Sequence, residues 1–208
     1  MTSETLRLAV PEDIPILSQI HSSALPNALL SRLGLKYLAT KFYPRLFSYP
    51  DSILLVAEID GVVQSFVVFV VSGNQFEQWI CSSRLAAMPF IALGCLRHPS
   101  IIIELLSIMR GPSTQLDAQW EGVFDGAELF SITSSPSYQG RGLGSKLTRR
   151  GLEMIRERYP QLQSCFVRTE TDRGCCFYKR NGFAEIGSEK RGRLRRRIMA
   201  LSLQESTI

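Results

Sequence analysis

The sequence of 208 residues lacks the long apolar runs of a membrane protein. Pro89 interrupts the run over residues 85–96 and Glu104 interrupts the run over residues 101–109, so neither provides the roughly 18 apolar residues that a membrane span needs. The first residues include Glu4 and have no apolar segment behind a basic one, which argues against a cleaved secretory signal. We therefore expect a cytoplasmic protein without a transmembrane segment.

Metal-binding and disulfide patterns are also missing. The five cysteines form no C-x-x-C pair, and His21 and His98 are the only histidines. These residues suggest neither a zinc site nor a disulfide framework. We expect no metal and five reduced thiols.

What is present is an ordinary globular composition with an uneven charge. Hydrophobic residues make up 45% and charged residues 21%, which predicts a single domain over residues 1–208. The formal net charge is +5, but residues 139–197 hold thirteen Arg and three Lys against five Glu and one Asp. Such asymmetry indicates a polyanionic partner, and it does not distinguish nucleic acid, an acidic membrane surface and a phosphorylated cofactor.

The hydrophobic pattern changes repeatedly between strand and helix periods, which predicts a mixed α/β fold. The strongest turn signal is Asp60-Gly61 between two runs rich in Val, Ile and Leu, which predicts a β-hairpin. Predicted strands cover residues 6–10, 52–59, 62–71, 128–133, 165–169, 183–188 and 196–203. Predicted helices cover residues 14–20, 29–47 with a kink, 143–159, and 173–180 with Asp172 as its cap.

Residues 73–126 have the least regular pattern. Apolar stretches near Trp79, over residues 85–96 and over residues 101–109 are separated by prolines. They predict two short helices and a loop, and so a helical insert before the strand at residues 128–133. The insert either caps the core or forms an acceptor-binding or interfacial element, and both interpretations stay open.

The most informative segment is residues 131–145, SITSSPSYQGRGLGS. A predicted strand enters a glycine-rich turn that opens a helix, which brings backbone N–H groups together at the positive end of the helix dipole. Gly142 and Gly144 permit close approach of an anion, and Arg141 adds a charged donor. The segment predicts a site for a pyrophosphate group.

Two known phosphate motifs do not fit this segment. A Walker loop places Lys directly after the last glycine, whereas Ser145 separates Gly144 from Lys146. The dinucleotide fingerprint is G-x-G-x-x-G near the first strand, whereas Gly140, Gly142 and Gly144 form G-x-G-x-G late in the chain. A glycine turn that binds no ligand remains as the alternative.

Residues 139–144, QGRGLG, resemble the Q/R-x-x-G-x-G/A acetyl-CoA signature of the GNAT acetyltransferase superfamily. Residues 172–183, DRGCCFYKRNGF, resemble the family's N-x-x-A-x-x-[FL]-Y-x-x-x-G-F segment, with Asp172 where the family often has Asn and Cys175 in place of alanine. The close resemblance covers residues 128–186, and the element order over residues 6–71 is similar to the family's N-terminal half.

The resemblance implies a GNAT-like fold, with a mostly antiparallel twisted sheet flanked by helices and one parallel pair of strands. It implies an acetyl-CoA-dependent N-acetyltransferase in which a primary amine of a small molecule, amino sugar or peptide attacks the acetyl group directly. The acceptor, the acyl length and the oligomeric state stay open. The cofactor-binding residues that it implies are Ile132, Thr133, Ser134, Gln139, Gly140, Arg141, Gly142, Leu143, Gly144, Ser145 and Asp172.

The reaction needs a proton acceptor and a proton donor. An amine with a pKa of about 10 must lose a proton before it attacks, and Glu128 resembles in position the glutamate that some family members use as base. The alternative is a solvent-facing glutamate with an ordered water as base. Tyr178 matches the family position that donates to the departing thiolate, and its alternative role is packing on the core.

Five arginines, at positions 191, 193, 195, 196 and 197, suggest a second function, nucleic-acid binding on a degenerate GNAT scaffold. No aromatic residue is interleaved to stack bases, so a solvated basic edge is favoured and nucleic acid is not expected. Peripheral contact with a membrane remains open. His21 receives no catalytic role, because a lone histidine is more often structural.

Overall fold

The computed structural model describes residues 3–82, 84–103, 113–116, 120, 122–191 and 194–204. Within these residues eight strands form one sheet. They are β1 (Glu4–Leu8), β2 (Ser52–Ile59), β3 (Val62–Val71), β4 (Ser113–Leu116), β5 (Ala127–Ser134), β6 (Ser164–Thr169), β7 (Ala184–Arg191) and β8 (Leu194–Ser202). Their order is β1-β2-β3-β5-β6-β8-β7-β4, and every neighbouring pair is antiparallel except β5 and β6. The predicted mixed, mostly antiparallel sheet is confirmed.

The helices cover both faces of this sheet. They are α1 (Ile14–Ala24), α2 (Leu29–Arg32), α3 (Leu35–Tyr37), α4 (Tyr43–Phe47), α5 (Gly73–Cys81), α6 (Arg84–Arg97), α7 (Leu143–Arg158) and α8 (Asp172–Arg180). One core lies between the sheet and α7 with α8, and a second lies on the opposite face under α1 to α6. Among the described residues, no helix combines the length and apolar character that crossing a bilayer requires.

The hairpin of β2 and β3 has the boundaries that the sequence predicts. Asp60 and Gly61 both have positive φ, +52° and +78°, as a two-residue turn matched to the strand twist requires. Ile59 pairs with Val62 across this turn. The turn chemistry therefore sets the register of the central strands.

The predicted single helix over residues 29–47 is wrong. The helix is interrupted at Gly34, where φ is +102°. Beyond this residue the chain continues through α3, a π-helical segment at Leu38–Phe42 and α4. Pro44 lies where the π-helical segment passes directly into α4, and its ring nitrogen has no N–H to donate to the preceding turn. The proline is thus accommodated by a change of helix type rather than by a simple kink.

The segment 73–126 contains the two helices α5 and α6, and residues 100–103 are helical as well. It also contains β4, which pairs with β7 at the edge of the sheet and which the sequence analysis did not predict. The remainder of the predicted second stretch, residues 104–109, lies outside the described residues.

Helix α7 packs on the sheet through Gly151. A Cβ atom at this position would collide with the ring of Phe69 on β3. Although Gly to Ala normally stabilises a helix by about 1 kcal/mol, overpacking typically costs about 1–3 kcal/mol. The glycine therefore serves close packing.

We expect Gly151→Ala to lower the free energy of unfolding by about 1–3 kcal/mol, measured by urea denaturation. Arg149→Ala on the exposed side of the same helix is the control, and its expected change is within about 0.5 kcal/mol. A Gly151→Ala protein as stable as the parent would contradict this packing.

Candidate functional site: a cleft between two diverging strands

A cleft opens where β5 and β6 separate. The parallel ladder between them joins only Ala127 with Cys165 and Glu128 with Phe166. Beyond these pairs lies a cleft of about 730 Å³, bounded by the rest of β5, the turn before α7, the end of β6 and α8. The end of α1 contributes Ala24 and Leu25 to its wall.

A β-bulge in β5 accompanies this separation. The register of β5 against β3 shifts between Leu129 and Ser131, so Phe130 has no partner in the ladder. A bulge bends its strand and increases the local twist. After the bulge, Ile132 packs toward the core under α7, whereas Phe130 packs toward the opposite core. The bulge thus turns the outer half of β5 away from β6.

The glycine-rich turn has the geometry of an anion cradle. Gly140 and Gly142 have φ values of +77° and +84°, and Gly142 is the N-cap of α7. The amide of Lys146 makes the first intrahelical bond, to Gly142 O at 3.1 Å, so the amides of residues 143–145 precede the helical ladder. The described first turn of α7 carries no acidic side chain. An anion would meet converging N–H groups here.

Most of the predicted cofactor-binding residues line this cleft, and two do not. Those that line it are Ile132, Thr133, Ser134, Gln139, Gly140, Gly142, Leu143, Gly144 and Ser145. Arg141 is not among the lining residues, and its guanidinium stacks on the ring of Tyr138 at 4.6 Å. Gly144 allows close packing, because a Cβ there would be 3.3 Å from Phe177 and 3.4 Å from Ile132.

The assignment of Asp172 as helix cap is wrong. The N-cap of α8 is Thr171, whose Oγ1 accepts a hydrogen bond from the Gly174 amide at 3.0 Å. Thr171 lines the cleft, whereas the Asp172 side chain is 87% exposed and pairs with Arg197 at 2.5 Å. In the family segment N-x-x-A-x-x-[FL]-Y, the Asn stands seven residues and the Ala four residues before the Tyr. Counted back from Tyr178, these positions are Thr171 and Gly174, so the motif spacing alone identifies Thr171 as the residue in the Asn position.

Glu128 lies at the inner end of the cleft, where the two strands begin to separate. The residue is 5% exposed, so it is not a solvent-facing glutamate. Its Oε1 accepts a hydrogen bond from Arg168 Nη1 at 2.6 Å. A carboxylate this close to a guanidinium is favoured in its ionised form.

Tyr178 also lines the cleft and is 8% exposed. Its ring packs edge-to-face on Phe177 and Phe183, with centroids 5.2 Å and 5.8 Å away. Burial, reinforced by Cys165 and Cys175, raises the pKa of its phenol well above the ordinary value of 10. Its hydroxyl therefore stays protonated at neutral pH and can donate a hydrogen bond.

His21 has a structural environment. It is buried against Phe42, Tyr43 and Phe66, and its Nδ1 lies 3.0 Å from the Tyr43 hydroxyl. Burial lowers the pKa of the imidazole to about 4. It is neutral near pH 7, and it does not line the cleft.

The basic C-terminal third is partly neutralised at the cleft mouth. Arg196 Nε lies 3.0 Å from Glu170 Oε1, and both residues line the cleft. Arg197 pairs with Asp172, while Arg193 lies outside the described residues. Arg173 and Arg180 also line the cleft, and Arg173 donates to Gln139 Oε1 at 3.2 Å. The cleft therefore offers cations close to the glycine turn.

The cleft combines N–H groups that can bind an anion with a strand edge that can bind an extended ligand. No cluster of three or more metal-ligating His, Cys, Asp or Glu side chains occurs in the described part of the chain. The open edge of β5 offers backbone groups to an extended ligand, and the glycine turn offers N–H groups to phosphates. These features fit a long ligand with a pyrophosphate.

Known proteins are similar in sequence to the part of the chain that forms this cleft. Residues 115–185 match the family model described as Acetyltransferase (GNAT) domain. Mycothiol acetyltransferase from Beutenbergia cavernae is 33% identical over 78 residues, which is 36% of this chain and 26% of that protein. The N-alpha-acetyltransferase RimI from Mycobacterium tuberculosis is 36% identical over 64 residues, which is 31% of this chain and 39% of that protein. The aligned part of the chain thus spans well under half the length of these two relatives.

The fold extends the likeness to most of the chain. The crystal structure of PaiA N-acetyltransferase from Thermoplasma acidophilum in complex with coenzyme A superposes with a TM-score of 0.60. The match covers 96% of this chain and 99% of that one at 14% identity. At this identity the likeness concerns the fold.

Proposed function

We propose that this chain, which carries a GNAT acetyltransferase domain over residues 115–185 and has the fold of the GNAT N-acetyltransferases, is an acetyl-CoA-dependent N-acetyltransferase. The observation that carries the proposal is the glycine turn at the start of α7 beside the open edge of β5, both in one cleft. The relatives named above act as acetyltransferases, and a solved neighbour binds coenzyme A.

Acetyl-CoA, when bound, supplies an acetyl group activated as a thioester. We assign its pyrophosphate to the backbone amides of Gly142, Leu143 and Gly144, because helix N-terminal N–H groups favour negative charge. We assign its pantetheine arm to the edge of β5 at residues 132–134, where it would pair like an added strand. Arg173 and Arg180 supply positive charge at the rim of the same cleft.

Glu128 is the proposed general base. Its carboxylate lies in the cleft and is held ionised by Arg168, so it can accept the proton that an ammonium acceptor must lose, directly or through one water. The amine then attacks the thioester carbonyl. The reaction uses no covalent enzyme intermediate.

Tyr178 is the proposed donor to the leaving sulfur. A thiolate with a pKa of about 8.5 is a weaker base than the anion of this buried tyrosine, so full proton transfer from Tyr178 is uphill. The hydroxyl therefore stabilises the developing thiolate by donating a hydrogen bond. A hydrogen bond to a charged group is worth about 1.5–3 kcal/mol.

We expect Tyr178→Phe to lower kcat by about 10²-fold while changing the Kd for acetyl-CoA less than about threefold, because the ring still packs and only one donor is lost. Tyr159→Phe is the control. It removes a hydroxyl that donates to Asp51 Oδ1 at 3.0 Å, and neither residue lines the cleft. A Tyr178→Phe rate within twofold of the parent would reduce Tyr178 to a packing role.

An acceptor screen tests the proposed function. Acetyl-CoA is offered with glucosamine, spermidine and a short peptide that begins with alanine, and free thiol release is measured. Acetylation of an amine, verified by mass spectrometry, is the expected result. A protein that binds neither acetyl-CoA nor CoA in calorimetry would contradict the proposal. Duplex binding that weakens steeply with salt, without thiol release, would favour a nucleic-acid-binding role instead.

A further inference from the structure

The base proposed above belongs to a buried network that connects three strands. Arg168 on β6 donates from Nη1 to Glu128 Oε1 on β5 at 2.6 Å, and its Nε lies 3.0 Å from Glu189 Oε2 on β7. The side chains are 12%, 6% and 2% exposed in the order Arg168, Glu128 and Glu189. Arg168 therefore bridges two carboxylates in a nearly dry environment.

The guanidinium is also held by its surroundings. It lies 5.1 Å from the ring centroids of both Phe124 and Phe166. Aromatic faces favour a cation above them and restrict its movement. Arg168 thus has a fixed position from which to orient the carboxylate of Glu128.

The other side of the Glu128 carboxylate is closed by backbone. A Cβ atom on Gly73, the first residue of α5, would collide with Glu128 Oε2. The carboxylate is therefore confined between the start of α5 and Arg168. Its freedom to rotate away from the cleft is limited from both sides.

We infer that Arg168 is a positioning residue that keeps Glu128 ionised and oriented toward the cleft, with Glu189 as its buried anchor. The inference rests on the proposed function, because Glu128 is there the base. Arg168 also lines the cleft, but the role inferred for it is to act through Glu128, and it is not assigned as a catalytic residue.

The cost of burying charge explains why the ion pair of Glu128 and Arg168 is joined by Glu189. A buried carboxylate alone would favour protonation, and a protonated base cannot accept a proton. Arg168 offsets this cost for Glu128, and Glu189 offsets the cost of burying Arg168. In the part of the chain that the structure describes, the cleft that Glu128 lines also holds Arg173, Arg180, Arg196, Glu170 and Tyr178, and the buried thiol of Cys165 interacts electrostatically with Glu128.

The pH dependence of kcat/KM tests the inference, with the best acceptor from the screen. Arg168→Gln should move the acidic limb upward by about 1–3 pH units, because an adjacent cation lowers a carboxyl pKa by that amount. Arg168→Lys keeps the charge and should leave the limb within about 0.5 unit of the parent. Arg7→Gln, which removes a cation that bridges the carboxylates of Asp13 and Glu58 away from the cleft, is the matched control and should also leave the limb in place.

A second readout does not need turnover. The carboxyl carbon of Glu128 is titrated by NMR in the folded parent, with Glu128→Gln used to assign its signal. A Glu128 signal that titrates at a higher pH in Arg168→Gln than in the parent and in Arg168→Lys is the expected result. Adding guanidinium ions to Arg168→Gln should restore part of the parent pH limb.

The outcomes separate the two proposals. If Glu128→Gln retains full activity, the proposed base fails, whatever Arg168 does to the NMR titration. If Glu128→Gln loses activity but Arg168→Gln leaves both the limb and the titration unmoved, the positioning role of Arg168 is overturned. Should Arg168→Gln fail to fold, Arg168→Lys still decides, because a limb displaced by more than about 0.5 unit despite the retained charge contradicts the inference.

Discussion

Glu128→Gln is expected to lower kcat by about 10²- to 10⁴-fold and to remove the acidic limb of the pH profile. General base catalysis typically contributes this much, and the acidic limb reports protonation of the base at low pH. Glutamine keeps the shape of the side chain and still offers an oxygen to Arg168, so the cleft should persist. Acetyl-CoA affinity is measured in parallel and is expected to change less than about threefold, since Glu128 lies at the inner end of the cleft, away from the glycine turn.

The control for this prediction is another glutamate paired with arginine on a strand. Glu58 on β2 bonds Arg7 at 2.5–2.8 Å and does not line the cleft. Glu58→Gln should therefore alter stability without altering the pH profile. A loss of only about twofold for Glu128→Gln would move the base to an ordered water, and the acetyltransferase proposal would stand on the cleft and the acceptor screen.

Local signals predicted the parts of the fold that local chemistry determines. The hairpin at residues 52–71 followed from Asp60-Gly61, and α7 followed from its apolar stripe and the glycines before it. The same local pattern identified the turn that carries the candidate anion site. In each case the residues that signal the structure are the residues that form it.

Features that depend on distant contacts were not predicted. β4 has only four residues and gains its partner from β7, more than seventy residues later in the chain. The bulge in β5 depends on its register against β3, which no local pattern in β5 reveals. The π-helical segment lies directly before α4, and its buried Leu38 and Phe42 pack in one core cluster with strand residues distant in sequence, such as Phe66.

In the candidate site, too, the residues signalled by a local pattern were predicted and those brought in by distant contacts were not. The sequence identified Glu128 by its place relative to the glycine turn, but its partner Arg168 is forty residues away and Glu189 is sixty-one away. A strand arginine between Val167 and Thr169 gives no indication that it bridges two buried carboxylates. The strand order β5-β6-β8-β7, which the local sequence does not reveal, brings the three charges together.

Gly142→Glu is expected to weaken acetyl-CoA binding by about 100-fold or more. A carboxylate at the N-cap of α7 would occupy the amides that we assign to the pyrophosphate, and losing two hydrogen bonds to a charged group costs about 3 kcal/mol or more. The helix itself should tolerate the change, since negative charge at a helix N-terminus is favourable. Calorimetric titration of acetyl-CoA measures the effect.

Backbone strain must be separated from the loss of the anion site in this experiment. Gly142 has φ +84°, where any other residue is strained by about 1–2 kcal/mol, although a Cβ there would contact nothing within 4 Å. Gly61 in the β2–β3 turn has φ +78° and the same empty surroundings, so Gly61→Glu carries comparable strain far from the cleft. Gly142→Ala adds the strain without the charge and should weaken binding much less than Gly142→Glu. If Gly142→Glu binds acetyl-CoA as tightly as Gly61→Glu does, the cofactor does not use this turn, because a carboxylate placed at these amides would have competed with its pyrophosphate.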